Sequence, residues 1–169
     1  MTETLVAPRR QVLLGAALGG IAAAVPLMAQ TPANAASVDA LKAMLDSYQK
    51  AFSAHDMAGV LKHFSPDAVV LGTGPGEIWG GKDEITTAHT NFFTLFDPGK
   101  HTQEVQFRDG HMMGDMAWLA SMSSVSFTKG ANTIKFGLNL SAVFEKTGGT
   151  WLIRVLHMSN VASTPSAAK

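Results

Sequence analysis

NTIKFGLNLSAVFEKTGGTWLIRVLHMSNVA, residues 132–162, is the stretch on which the fold turns. Ile134, Phe136, Leu138, Leu140, Ala142 and Phe144 recur at every second position, with Lys135, Asn139 and Ser141 among the residues between them. A period of two is that of a strand with one buried face. Thr147-Gly148-Gly149 interrupts the run with the glycines that tight hairpin turns favour, so the segment from 150 returns as an antiparallel neighbour. In that segment Trp151, Ile153, Val155, His157 and Ser159 share one face by alternation, and Leu152, Leu156 and Met158 lie on the other. Both faces are largely apolar. One is expected to pack on helices and the other to be covered from elsewhere, which in a domain this size points to a partner subunit.

Upstream, two further extended segments run over about 102–113 and 116–129, bounded by Gly114-Asp115 and Lys129-Gly130. Before them the pattern is helical. Val38, Leu41, Leu45, Tyr48 and Phe52 fall at spacings of three and four, with Ser37 placed to cap the helix and Asp39 in its first turn. Asp56 is placed to cap a short second helix carrying Met57, Val60, Leu61 and Phe64, which Pro66 is expected to stop. Ala68 to Leu71 reads as a buried strand, and Gly72-Thr73-Gly74-Pro75-Gly76 as a loop. A third helix is predicted from about Lys82 to Phe96, with Ile85, Ala88, His89, Phe92 and Phe96 on its apolar face. Helices first and antiparallel strands after them predict an α+β domain over 36–162, a curved sheet of four to six strands on three N-terminal helices.

The N-terminus has a different character. Arg9-Arg10 precede a charge-free run from Val12 to Met28, and Ala33-Asn34-Ala35 has the small-x-small form of a signal-peptidase site. Gly15, Gly19, Gly20 and Pro26 dilute the run, which weakens the competing reading as a membrane anchor. Residues 1–35 are therefore read as an export signal. The string Pro8-Arg9-Arg10-Gln11-Val12-Leu13-Leu14 resembles the twin-arginine motif, with proline before the pair and valine where an aromatic is common. The alternative is an ordinary secretory signal with two arginines. The expected location is periplasmic or secreted, from a bacterial source, with 163–169 as a disordered tail. Without Arg9, Arg10 and Glu3 the chain keeps 11 basic and 12 acidic side chains, a balance that argues against nucleic acid or an anionic membrane as partner. The chain has no cysteine, which excludes disulfides, thiolate nucleophiles and sulfur-ligated metals.

Several strings together resemble the SnoaL-like branch of the nuclear transport factor 2-like superfamily: Tyr48 to Asp56, FSPDA at 64–68, GTGPGEIWGGKDEI at 72–85 and WLIRVLHMS at 151–159. The resemblance implies a cone-shaped sheet, a pocket between its concave face and the helices, and commonly a dimer through the sheet. It leaves the activity open, because isomerases, cyclases, hydrolases, binding proteins and oligomerisation domains share this scaffold. Tyr48, eight residues before Asp56, matches the oxyanion-donating tyrosine of ketosteroid isomerases. Their carboxylate base falls on Gly72, and no acid lies between Ile134 and Phe144 to act as second donor. A donor without a base moves no proton.

Other motifs fail on their own terms. Lys82 is followed by Asp83, whereas a P-loop needs Ser or Thr there. His55, His63, His89, His101, His111 and His157 lack the paired spacing of a zinc-protease helix, and neither metal nor cofactor is expected. The nine methionines read as pliable filler. His157 and Ser159 alternate onto one face with Trp151, and by the resemblance that face looks into the cavity. Asn139 and Ser141 would project similarly from the neighbouring strand, Tyr48 from the first helix, and Trp79 with Glu77 from the loop at the cavity mouth. These residues predict a pocket for a small, mostly apolar molecule. His157 is the residue nominated as proton shuttle should the protein be an isomerase, cyclase or dehydratase. A buried histidine satisfied by Ser159 is the structural alternative, and a non-catalytic oligomerisation module the remaining functional one.

Overall fold

Three glycine turns fold the C-terminal half back on itself. The computed structural model describes residues 32–161. Within them β3 (His101–Met113), β4 (Met116–Lys129), β5 (Asn132–Thr147) and β6 (Thr150–Asn160) form an antiparallel meander. Gly114 (φ 62°) and Gly130 (φ 57°) take the first central position of two-residue turns, and Gly148 and Gly149 are both at positive φ. A side chain is strained there, so these glycines set the register of each hairpin.

The N-terminal half supplies α1 (Pro32–Ser53), α2 (Met57–Leu61), β1 (Phe64–Leu71), β2 (Ile78–Gly80) and α3 (Gly81–Phe93). All six strands join one sheet in the order β2-β1-β6-β5-β4-β3. The sheet is curved and does not close, and its architecture is the α+β arrangement the sequence pattern predicts. Twin arginines, apolar run and tail lie outside the described residues.

Local differences from the sequence reading have local causes. α1 begins at Pro32, so Ser37 lies within it rather than at its cap, and the small-residue site at 33–35 falls in its first turn. Asp56 does cap α2, its Oδ1 accepting the Gly59 N–H at 2.9 Å. α2 ends at Leu61, so Phe64, expected on it, opens β1 instead, and the helix stops well before Pro66. Pro66 lies inside β1, whose pairing with β6 jumps between Phe64 and Val69, and a residue without an N–H is tolerated where a ladder is interrupted. The β1–β6 pairing is parallel, an exception to the antiparallel neighbours expected. Phe96 falls three residues past α3 yet is buried, stacked on Phe127 at 4.8 Å.

The helices cover one face of the sheet. Met44, Ala51, Val60 and Ile85 pack with Phe144, Trp151, Ile153 and Leu156 in the main core, and Phe96, Val125 and Phe127 form a smaller cluster beside it. Two ladders carry one extra residue each. Between β5 and β6 the pairs run Phe144↔Ile153 and then Val143↔Val155, which leaves Arg154 without a partner. Between β3 and β4 they run Val105↔Ser123 and then Phe107↔Met122, which leaves Gln106 without one. Each such bulge reverses which side chains face inward beyond it.

Ile153 is 1% exposed and central to the main core. Ile153→Ala is expected to cost about 2–5 kcal/mol, read as a lower urea midpoint at unchanged denaturant slope.

Candidate functional site

The concave face of the sheet and the helices enclose a cavity of about 370 Å³. Its walls come from alternate positions of the meander: Val125 and Phe127 on β4, Leu138 and Leu140 on β5, Leu156 and Met158 on β6. Phe52 of α1 and Phe92 of α3 close it from the helical side, and the exposed Thr73 and Leu95 stand at its rim. Its polar groups are Tyr48, Gln49, Thr73, His101, Gln103 and Asn160, and the lining holds no carboxylate, amine or guanidinium.

Tyr48 is held from behind by His89. The His89 Nδ1 lies 2.9 Å from the Ile85 carbonyl oxygen, which only accepts, so Nδ1 carries the proton. In the neutral ring Nε2 then accepts, and the Tyr48 hydroxyl donates to it at 3.1 Å. Burial lowers the His89 pKa, partly opposed by the hydrogen bond to Ile85, and burial raises the Tyr48 phenol above its ordinary value. Both groups are thus neutral at pH 7. The one phenolic hydrogen is committed to His89, so in this arrangement Tyr48 offers the cavity an acceptor rather than an oxyanion donor. His63 is tied off similarly, with Nε2 3.0 Å from the Ser47 hydroxyl.

His101 is the imidazole that lines the cavity. Phe52, Phe96 and Phe127 surround it at 5.4, 5.7 and 5.4 Å between ring centroids, and burial lowers its pKa. A neutral imidazole there can give one hydrogen bond and take another. Beside it the Gln49 amide donates to Gln103 Oε1 at 3.2 Å, and Gln103 donates to the Ser123 hydroxyl at 2.9 Å, which links α1 to β3 and β4.

Of the residues the sequence nominated, Tyr48 lines the cavity. Trp79 does not: it packs against the main core, 6.0 Å from Phe92, and Thr73 of the same loop reaches the rim instead. Glu77 turns back on its loop, accepting the Gly74 N–H at 2.7 Å. Asn139, Ser141, His157 and Ser159 are neighbours as expected, in the pairs Asn139↔Ser159 and Ser141↔His157. They stand on the opposite, outward face, however, with His157 exposed. The cause is Arg154. Strict alternation carries Trp151 and Ile153 on to His157, whereas the extra residue hands the inner face to Leu156, Met158 and Asn160. His157 is thereby removed from the cavity, and the nomination as its proton shuttle is corrected with it.

Gln49, Thr73, His101, Gln103 and Asn160 escaped the sequence reading. His101 and Gln103 alternate at the head of β3, and counting back from the Gly114-Asp115 turn brings them near Phe127 and Val125. The bulge at Gln106 spoils that count by one. Among the described residues no three His, Asp or Glu side chains are gathered as a metal ion would need.

Residues 41–163 match the SnoaL-like domain family. Comparison with curated proteins gives no match. Similar solved structures include a candidate calcium/calmodulin dependent protein kinase II association domain from Xanthomonas campestris, 22% identical, covering 73% of this chain and 87% of that one at a TM-score of 0.65. A candidate dehydratase from the NTF2-like family of Streptomyces avermitilis is 15% identical, covering 76% and 99% at a TM-score of 0.65. A ketosteroid isomerase-like protein from Erwinia carotovora atroseptica is 20% identical, covering 75% and 98% at a TM-score of 0.61. At these identities the likeness is one of fold.

The neutral imidazoles make stability depend on pH. His89 and His101 have folded-state pKa values below the ordinary 6.5, so below about that pH the unfolded chain binds more protons than the folded one. Their stabilisation is complete above pH 6.5 and is lost as pH falls from there toward the lowered values. Urea midpoints measured from about pH 8 down to pH 5 should fall below pH 6.5, and less steeply in His101→Phe. An unchanged slope in that variant would show that His101 takes up its proton in the folded protein at the same pH as in the unfolded chain.

Proposed function

This chain belongs to the SnoaL-like domain family, and we propose that it is an exported protein that binds a small, mostly apolar molecule in the cavity between sheet and helices. The observation that carries this reading is the lining itself: about 370 Å³ walled by aliphatic and aromatic side chains, with a few neutral polar groups and no ionised one. An apolar concavity with a handful of convergent hydrogen-bonding groups matches a small-molecule site better than a filled structural core does. His101, Gln103 and Asn160 replace His157, Ser159, Asn139 and Ser141 as the groups that would orient the ligand.

One observation favours a second reading, an enzyme of the isomerase, cyclase or dehydratase kind. His101 is a neutral imidazole on the cavity wall, the protonation state a general base requires. No carboxylate lines the cavity to assist it, which ranks this reading second.

Self-association through the outward face of the sheet is proposed alongside binding. Phe107 and Met122 sit opposite one another there, 53% and 36% exposed, with Trp118 38% exposed further along β4. Contiguous exposed apolar side chains of this size are usual at protein interfaces.

Cavity binding is tested by titrating the full-length chain with the fluorescent apolar probe N-phenylnaphthylamine. Leu138→Trp, which fills the cavity, should weaken binding by tenfold or more at unchanged far-UV circular dichroism. Equal binding by the variant would place the probe elsewhere, and no binding by either would count against the reading. Export has its own check. The double replacement Arg9→Lys with Arg10→Lys should hold the precursor in the cytoplasm, whereas the parent chain should appear outside it with Ala36 as its first residue by mass spectrometry.

A further inference from the structure

A second cavity of about 120 Å³ adjoins the first, with Tyr48, Gln49, Gln103, Leu140 and Leu156 lining both. These five residues form a waist, and the hydrogen bond from Gln49 to Gln103 spans it from α1 to β3. The two chambers differ in charge. Where the larger is neutral, the smaller is lined by Lys42, Asp46 and Arg108, an excess of one positive charge. Lys42 stands 3.8 Å from the Asp39 carboxylate, while Arg108 forms no ion pair among the described residues.

Arg108 reaches this chamber through the bulge at Gln106. His101 and Gln103 face the cavity at odd positions, and unbroken alternation would bring Phe107 inward and turn Arg108 out. The extra residue reverses this. Phe107 lies 53% exposed on the outer face, and Arg108 pairs with the buried Ser121, whose side chain lines the same chamber. A sheet that served only to fill a core would gain by burying the phenylalanine. Bulges that exchange an inward apolar group for a charged one are a recognised way of aiming a side chain at a ligand.

We propose that Arg108 is an anion-recognition residue and that the ligand is amphipathic, its apolar body in the larger cavity and a carboxylate head reaching Arg108 in the smaller. The guanidinium fork matches a carboxylate with two parallel hydrogen bonds, and the Gln49 and Gln103 amides at the waist supply neutral partners just before it. Asp46 in the same chamber disfavours heads of higher negative charge. This inference rests on the larger cavity being a ligand site.

The test compares pyrenebutanoic acid with its methyl ester, titrated into the full-length chain near pH 7 and followed by pyrene fluorescence. The acid should bind at least about tenfold more tightly than the ester, because only the acid can form the charge-assisted pair with Arg108. Arg108→Gln should bring the two within about twofold by weakening the acid alone, and Arg108→Lys should keep part of the preference. Arg108 is exposed, so the urea midpoint of both variants should stay near that of the parent chain. Equal affinities in the parent chain, or a preference that survives Arg108→Gln, would overturn the role of Arg108 while leaving the cavity reading standing. Failure of both probes to bind would overturn the two together.

Discussion

Arg154 has no partner in the ladder between β5 and β6, and the placement of every later side chain on β6 depends on that gap. On one side of it Trp151 and Ile153 are buried; on the other Leu156 is buried and Met158 half-buried against the same core. A strand of strict period two could bury one of these sets but not both. Each large apolar side chain left out would forgo about 1.5–3 kcal/mol, so burial on both sides holds the bulge in place. The guanidinium contributes less. It reaches Asp67, the Ser65 hydroxyl at 3.5 Å and Glu145 at 4.0 Å, tying β6 to the irregular start of β1. It is about one-third exposed, and such pairs are worth roughly 0–1 kcal/mol.

That constraint also sorts the polar residues of the sheet. Asn139, Ser141, His157 and Ser159 gather on the outer face, and the inner face beyond the bulge is left to aliphatic side chains and Asn160. The outcome is a neutral cavity. Its one aromatic hydroxyl is bonded to a buried neutral imidazole, and its one lining imidazole is ringed by phenylalanines. The second bulge, at Gln106, brings Arg108 to the smaller chamber and leaves the larger one without a charged side chain.

Much of the architecture was legible because its signals are local. Glycine pairs and near-pairs mark the hairpins, a period of two marks the strands, and an aspartate before an apolar run marks the start of α2. Alternation also separated the two faces of β5, whose ladder to β4 is unbroken from Met116 to Lys129, but the cavity was assigned to the face of Asn139 and Ser141 rather than to that of Leu138 and Leu140. Helical spacing placed Tyr48 on the apolar face of the first helix, and the family resemblance assigned it to the cavity. His157 was misplaced because alternation was extended through a residue that has no partner, and WLIRVLHMS contains no glycine or proline to mark the break. Phe107 and Arg108 are exchanged for the same reason.

The amino-acid sequence by itself determined the class of fold, the order of elements, the absence of thiol chemistry and the near-zero net charge, because each follows from composition or from neighbours a few residues apart. Tertiary structure alone decided which face each strand turns to the cavity, the parallel pairing of β1 with β6, and the meeting of Tyr48 with His89 across 41 positions. A bulge is selected by what becomes buried on both of its sides at once. That sum is taken over the helices and strands packed against it, and no window of sequence contains them all.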